Sequence, residues 1–168
     1  PVPVAPEIRR RFASLKLESK AAAPVTFAAL RISAPPLTGI RYALRGQVRT
    51  EGVAGDGYLE MWSHIGGNAY FSRALGEGPM APLRGTSGWR EFVLPFFSKA
   101  GAPAPGKLEF NVVLPGAGTV WIGPLSLVQY AEDENPLQSS AWWDDRTAGL
   151  VFGSLGGLLG CLGGLLGF

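Results

Sequence analysis

Alternation dominates the first 130 residues. In GIRYALRGQVRT (39–50), Ile40, Tyr42, Leu44 and Val48 fall on one side. Arg41, Arg45 and Arg49 fall on the other, with Ala43 and Gln47 between them. A period of two over ten residues predicts a strand with one buried face. ASLKLES (13–19) places Leu15 and Leu17 together, and VTFAALRIS (25–33) is β-branched and aromatic-rich. Further strands are predicted at GYLEMWSHI (57–65), NAYFSRAL (68–75), WREFVLPF (89–96), KLEFNVVLP (107–115) and GTVWIGPLSLVQY (118–130). The intervening GVAGDG, IGGN, GEGPMAP, GTSG, KAGAPAPG and PGAG carry turn chemistry. No stretch before residue 140 shows a convincing helical period. About eight short strands with such turns predict an all-β fold, an antiparallel β-sandwich or jelly roll.

The pattern changes at the end. Residues 147–168 carry no charge. As a helix they would span about 33 Å, which fits one crossing of a hydrocarbon core about 30 Å thick. At about 100° per residue, Gly149, Gly153, Gly156, Gly157, Gly160, Gly163, Gly164 and Gly167 fall within an arc of about 120°. Leucines, Val151, Phe152 and Phe168 take the rest. Glycine disfavours helix in water, but a bilayer forces backbone hydrogen bonds to close internally. A single C-terminal transmembrane α-helix with a glycine packing face is therefore expected. Such a groove accepts a neighbouring helix, a copy of itself, or a flat lipid or pigment. Trp142 and Trp143 suit the headgroup belt, and Asp144, Asp145 and Arg146 mark the water boundary.

The chain then divides into an extended N-terminal tether (1–12, with three prolines in PVPVAPE), a β-sandwich domain (13–130), a linker and interfacial segment (131–146) and the transmembrane helix (147–168). The start at PVPVAP, without Met, reads as a processed end or as one trimmed from a longer start. A removed signal peptide would put the globular domain on the periplasmic or extracellular side. The run RRR at 9–11 favours the opposite orientation.

Composition sharpens this. Hydrophobic residues make up 46% of the 168 and charged residues 17%, and much of the apolar excess lies in the tail. Net charge is +2, but the first fifty residues are basic and the remainder acidic. The Arg41, Arg45 and Arg49 row is thus either a partner-binding basic face or a solvated sheet face. One cysteine, Cys161, allows no disulfide within the chain.

Catalytic chemistry is not expected. His64, the only histidine, sits between Ser63 and Ile65 in a strand pattern and reads as a strand residue rather than a base. One His, one Cys and scattered carboxylates predict no metal site. Glu60 and Glu91 read as surface charges, and Glu132, Asp133 and Glu134 as a solvated linker. GEGPM and PGAGT are hairpin glycines, not phosphate loops, because no helix follows them. Trp62, Trp89 and Trp121 read as core residues, since their strands also carry Leu and Val; Tyr58, Tyr70 and Asn68 are weaker candidates for sugar contact. No nucleic-acid partner is expected, because Ala and Gln, not aromatics, interleave the arginines.

GTSGWREFVLPF (85–96) followed by KLEFNVVLPGAGTVWIGPLSL (107–127) resembles bacterial galactose-binding-like jelly-roll domains, the fold of many carbohydrate-binding modules. YALRGQVRTEGVAGDGYLEMW (42–62) fits their earlier strands, so the resemblance covers about residues 37–130. It implies a jelly roll and says little of function. Many such domains carry Asp after the VWI motif; this chain has Gly123, so a site that needs an acid there is not implied.

These readings lead to an expected function. The chain is a non-catalytic, membrane-anchored accessory subunit without cofactor. It docks on integral membrane subunits of a larger, energy-transducing complex, respiratory or photosynthetic, with membrane lipid and self-association as further contacts. The alternative is a surface-anchored carbohydrate-binding module. Replacing Gly157 and Gly160 with Leu should leave insertion intact, because leucine is more apolar and a better helix former. It should abolish co-purification of partner or homodimer, because close packing drives helix association in lipid. Leucines at Ser154 and Cys161 should be nearly silent in the same assay. Equal co-purification of the two variants would make the glycine face merely lipid-exposed.

Overall fold

The structure is a computed structural model that describes residues 8–10, 14–131 and 133–138. The chain forms two units, Pro1–Leu137 and Gln138–Phe168. All but Gln138 of the second lies outside the described residues. So do the expected transmembrane helix, its eight glycines, and Trp142 and Trp143. Among the described residues no helix is long and apolar enough to cross a membrane.

The first unit is all-β and antiparallel. Its strands are β1 (Ile8–Arg10), β2 (Leu15–Ser19), β3 (Val25–Ser33), β4 (Arg41–Ile65), β5 (Asn68–Arg73), β6 (Leu83–Phe97), β7 (Lys107–Leu114) and β8 (Gly118–Tyr130). They form one folded-over sheet, a half-barrel of the sandwich or jelly-roll kind, with β4 common to both halves. In the first half-sheet the leading part of β4 lies between β8 and β6, and β1 and β2 add to the far edge of β8. In the second, residues 58–65 of β4 lie between β7 and β5, and β3 flanks β7.

The alternation read from the sequence holds, with one departure. GVAGDG and GTSG do not end strands. They pair with each other: Thr50 lies opposite Ser87, Val53 opposite Gly85 and Gly57 opposite Leu83. Between Thr50 and Val53 the strand carries one residue more than its partner, and the buried phase changes there. Tyr42, Leu44, Val48 and Thr50 are buried before it, and Val53, Leu59, Met61 and Ile65 after it. An extra residue shifts the side-chain phase by one and bends the strand. Gly52 (φ 60°) and its neighbour across the ribbon, Gly85 (φ 49°), take the left-handed backbone that this bend requires.

The core is the apolar phase of both halves. Phe92, Leu94, Val120, Ile122 and Leu127 come from the first, and Leu59, Met61, Leu108, Phe110 and Val112 from the second. Phe92 stacks on Phe110 at 5.6 Å with an interplanar angle of 8°, joining β6 to β7 across the interior. Tyr42 stacks on Phe96 at 5.1 Å, and burial pushes its phenol up to about 12.

Truncating Phe92 opens a cavity between the two halves. Phe92→Ala should cost about 3–5 kcal/mol, read as a lowered urea midpoint with unchanged slope. Phe97→Ala, on a side chain that is 52% exposed, should cost under about 1 kcal/mol. Similar losses for both would place the load elsewhere than the Phe92–Phe110 stack.

Candidate functional site

Each half-sheet turns its second side-chain phase outward, and each outer face carries charge beside aromatic rings. On the second half the outward phase of β4 is Tyr58, Glu60, Trp62 and His64, of which Glu60 is buried and the others half-buried. Glu60 is only 5% exposed. Its carboxylate accepts from Trp62 Nε1 at 2.8 Å, Arg73 Nε at 2.9 Å and Asn111 Nδ2 at 3.1 Å. Burial alone would raise its pKa, but these three donors outweigh it and hold the carboxyl below its usual value of 4.5. Arg73 in turn lies against the rings of Phe71 (4.2 Å) and Tyr58 (5.2 Å), and Trp62 meets Phe71 at 5.3 Å. One row along, Glu109 contacts His64 Nε2 at 2.9 Å, Arg31 Nε at 2.9 Å and Lys107 Nζ at 3.2 Å. The His64 hydrogen bond, then the cations, lower its pKa.

The outer face of the first half carries Arg41, Arg45 and Arg49 in one row, as the alternation predicts. The neighbouring strands bring rings alongside. Arg41 lies over Phe97 at 5.6 Å, Arg49 over Trp121 at 4.7 Å and Lys16 over Trp121 at 5.8 Å. Arg45 Nη1 donates to the Tyr130 hydroxyl at 3.1 Å, and Arg41 Nη1 to the Glu134 carbonyl at 3.2 Å. Carboxylates temper the charge: Glu51 is 3.7 Å from Arg49, Glu18 is 3.0 Å from Lys16, and Glu91 pairs in register with Gln47. The face is therefore mixed in sign.

Two sequence readings change here. Trp62, Trp89 and Trp121 do not pack in the core. Trp89 is 46% exposed, and Trp62 and Trp121 lie half-buried on outer faces. Each shares its phase with polar neighbours, Trp62 with Glu60 and His64, and Trp89 with Glu91, so the strand's own alternation sends it outward. Glu60 is not a surface charge but a buried, fully bonded one. The missed clue was its position between Leu59 and Met61, in phase with Trp62.

Gly123 also gains a physical reason. A Cβ there would lie 3.3 Å from Trp89 Cζ3 and 3.2 Å from Gln47 Cβ. An acid at this position would crowd Gln47 and the Trp89 ring, which would have to give by a few tenths of an ångström. His64 is a strand residue, as expected, and its partner is a carboxylate. Among the described residues no group of three His, Cys, Asp or Glu side chains is placed to hold a metal. A small apolar cleft lies among Leu30, Ile32, Leu44, Met61, Leu108 and Phe110.

No family model matches the chain, and no curated protein matches it. Among solved structures it is similar to a chain in the structure of the infectious bursal disease virus Gx strain, at 13% identity and a TM-score of 0.40. The match covers 76% of this chain and 32% of that chain.

Glu60 makes stability depend on pH in a definite direction. Its pKa is lower folded than unfolded, so its contribution is complete above pH 4.5 and disappears as pH falls through the depressed value. Glu60→Gln should be less stable than the parent at pH 7, and the difference should shrink steadily below pH 4.5. Glu109 titrates in both proteins and drops out of the comparison. A difference that stays constant from pH 7 to pH 3 would mean that the three donors do not favour the ionised form.

Proposed function

We propose that the chain is a non-catalytic, membrane-anchored accessory subunit. It docks on a larger membrane complex, respiratory or photosynthetic, through its glycine-faced tail and its β-sandwich. The observation that carries this reading is the outer face of the first half-sheet. There Arg41, Arg45 and Arg49 share a face with Phe97 and Trp121, and Trp89 lies beside Gln47 and Gly123. Arginine and tryptophan are among the side chains that most often dominate protein–protein contacts, and Glu18, Glu51 and Glu91 give the polar surround that such contacts have. Arg49, the exposed arginine of the row, and Trp89, which is 46% exposed, are the groups offered outward.

A second reading is a surface-anchored carbohydrate-binding module of the galactose-binding-like kind. Trp62 and Phe71 favour it, because their rings lie beside the fixed polar groups of Glu60, Asn111 and His64.

The two readings separate in one experiment on detergent-extracted full-length protein. Arg49→Gln with Trp89→Ala should weaken co-migration with the partner complex on native gels at least roughly tenfold, a hot-spot loss of about 1.4 kcal/mol or more. The part of the loss that comes from charge should shrink with added salt, which screens Arg49 in the parent. Glycan-array binding should be absent in the parent. Unchanged co-migration would leave Arg49 and Trp89 as solvated groups. Glycan binding that Phe71→Ala abolishes would favour the second reading.

A further inference from the structure

Exposed sheet edges are managed in folded proteins by charge, proline, bulges or brevity, because an unpaired strand is a template for another. Among the described residues, β2, β3 and β6 carry such a device. On β2, Lys16 and Glu18 point outward and Lys20 follows. β3 is broken by a register shift between Ala28 and Leu30 and carries Arg31. β6 has its pairing interrupted three times along the corner and contains Pro95.

β5 has neither proline nor bulge. It reads NAYFSR, pairs with β4 alone and without interruption, and is exposed from Asn68 to Phe71. Tyr70 is 48% and Phe71 52% exposed. Its one charge, Arg73, is bonded to Glu60 within the same chain and stacked on Tyr58 and Phe71.

We propose that β5 is a self-association edge. Two copies of the chain pair antiparallel along β5, with Phe71 on the two-fold axis, and continue the second half-sheet from one copy into the other. The occupant follows from the strand's own pattern. A perpendicular two-fold axis keeps outer faces together only when it passes through a residue, because facing residues in an antiparallel pair share a side. Centred on Phe71, it sets the two phenyl rings opposite each other, and facing aromatics stabilise strand pairs. Tyr70 then faces Ser72 of the second copy and Ala69 faces Arg73, so large meets small at each flanking pair. No like charges face each other, because the single arginine meets alanine. This pairing is independent of the accessory-subunit reading and uses a different surface.

The test uses the full chain in detergent, in the Gly157→Leu/Gly160→Leu background, so that any dimer reports the sandwich and not the tail. Sedimentation velocity should show a concentration-dependent dimer. Phe71→Lys should raise its dissociation midpoint at least tenfold, by placing two ammonium groups across the axis, while Phe71→Trp keeps it. Single cysteines in a Cys161→Ser chain check the register without relying on that variant. Phe71→Cys should oxidise to a disulfide dimer, because facing Cα atoms lie about 4.5–5.5 Å apart, within disulfide reach. Ala69→Cys should not, because its own copy is four residues away along the pair, about 13 Å. A monomer at every concentration, equal cross-linking at 69 and 71, or a Phe71→Lys dimer as tight as the parent would each overturn the proposal. So would β5 amides that become protected only when a different protein is added.

Discussion

A strand shared by two half-sheets must satisfy hydrogen bonds on both of its edges while it turns from one layer into the other. β4 does this over Arg41–Ile65, with β6 and β8 beside its first part and β5 and β7 beside its second. Everything outside the core depends on how it turns. The extra residue between Thr50 and Val53 moves the buried phase from one set of alternate positions to the other. Without that shift Tyr58, Glu60, Trp62 and His64 would point into the interior, and Leu59 and Met61 would point to water. The two outer faces are thus consequences of one irregularity in a glycine-rich stretch, and the Phe92–Phe110 stack locks the halves that it creates.

The strands were legible because alternation is local. Residues 25–33, 107–114 and 118–130 can be read from a window of ten, and the structure places strands there. The corner was not legible for a reason of the same kind. GVAGDG has the composition of a turn, and only its pairing with GTSG, some thirty residues later, makes it strand. Such a partnership leaves no trace in a local window. The tryptophans were misjudged differently, since hydrophobicity outweighed phase. Trp62 stands in the same alternate set as Glu60 and His64, and that set faces outward. Arg41, Arg45 and Arg49 could be placed on one face from sequence, but the rings beside them come from β6 and β8 and appear only with the register.

The outer faces also differ in how their charges are used. On the first half, cations lie over rings with heads partly in water, so their interactions remain sensitive to salt and open to exchange. On the second, Glu60 is buried and would be costly without its donors. Trp62, Asn111 and Arg73 supply three bonds from three different positions, which fixes the rings around it. On that face hydrogen bonds to a buried carboxylate hold the aromatic surface, where on the first half cations rest on rings.

This bonding has a cost at the margin of the sheet. A long cation next to an edge strand normally keeps other strands away by staying solvated. Arg73 sits at the end of β5 and has the right chemistry for that, but Glu60 claims its guanidinium and the Tyr58 and Phe71 rings cover its faces. Satisfying one buried carboxylate therefore strips the edge of the one charge that would have guarded it. The remaining β5 residues, Asn68 to Ser72, are uncharged and unbulged. An interior requirement, the pairing of Glu60, thus decides the character of an exterior boundary, and the two cannot be tuned separately by changing Arg73.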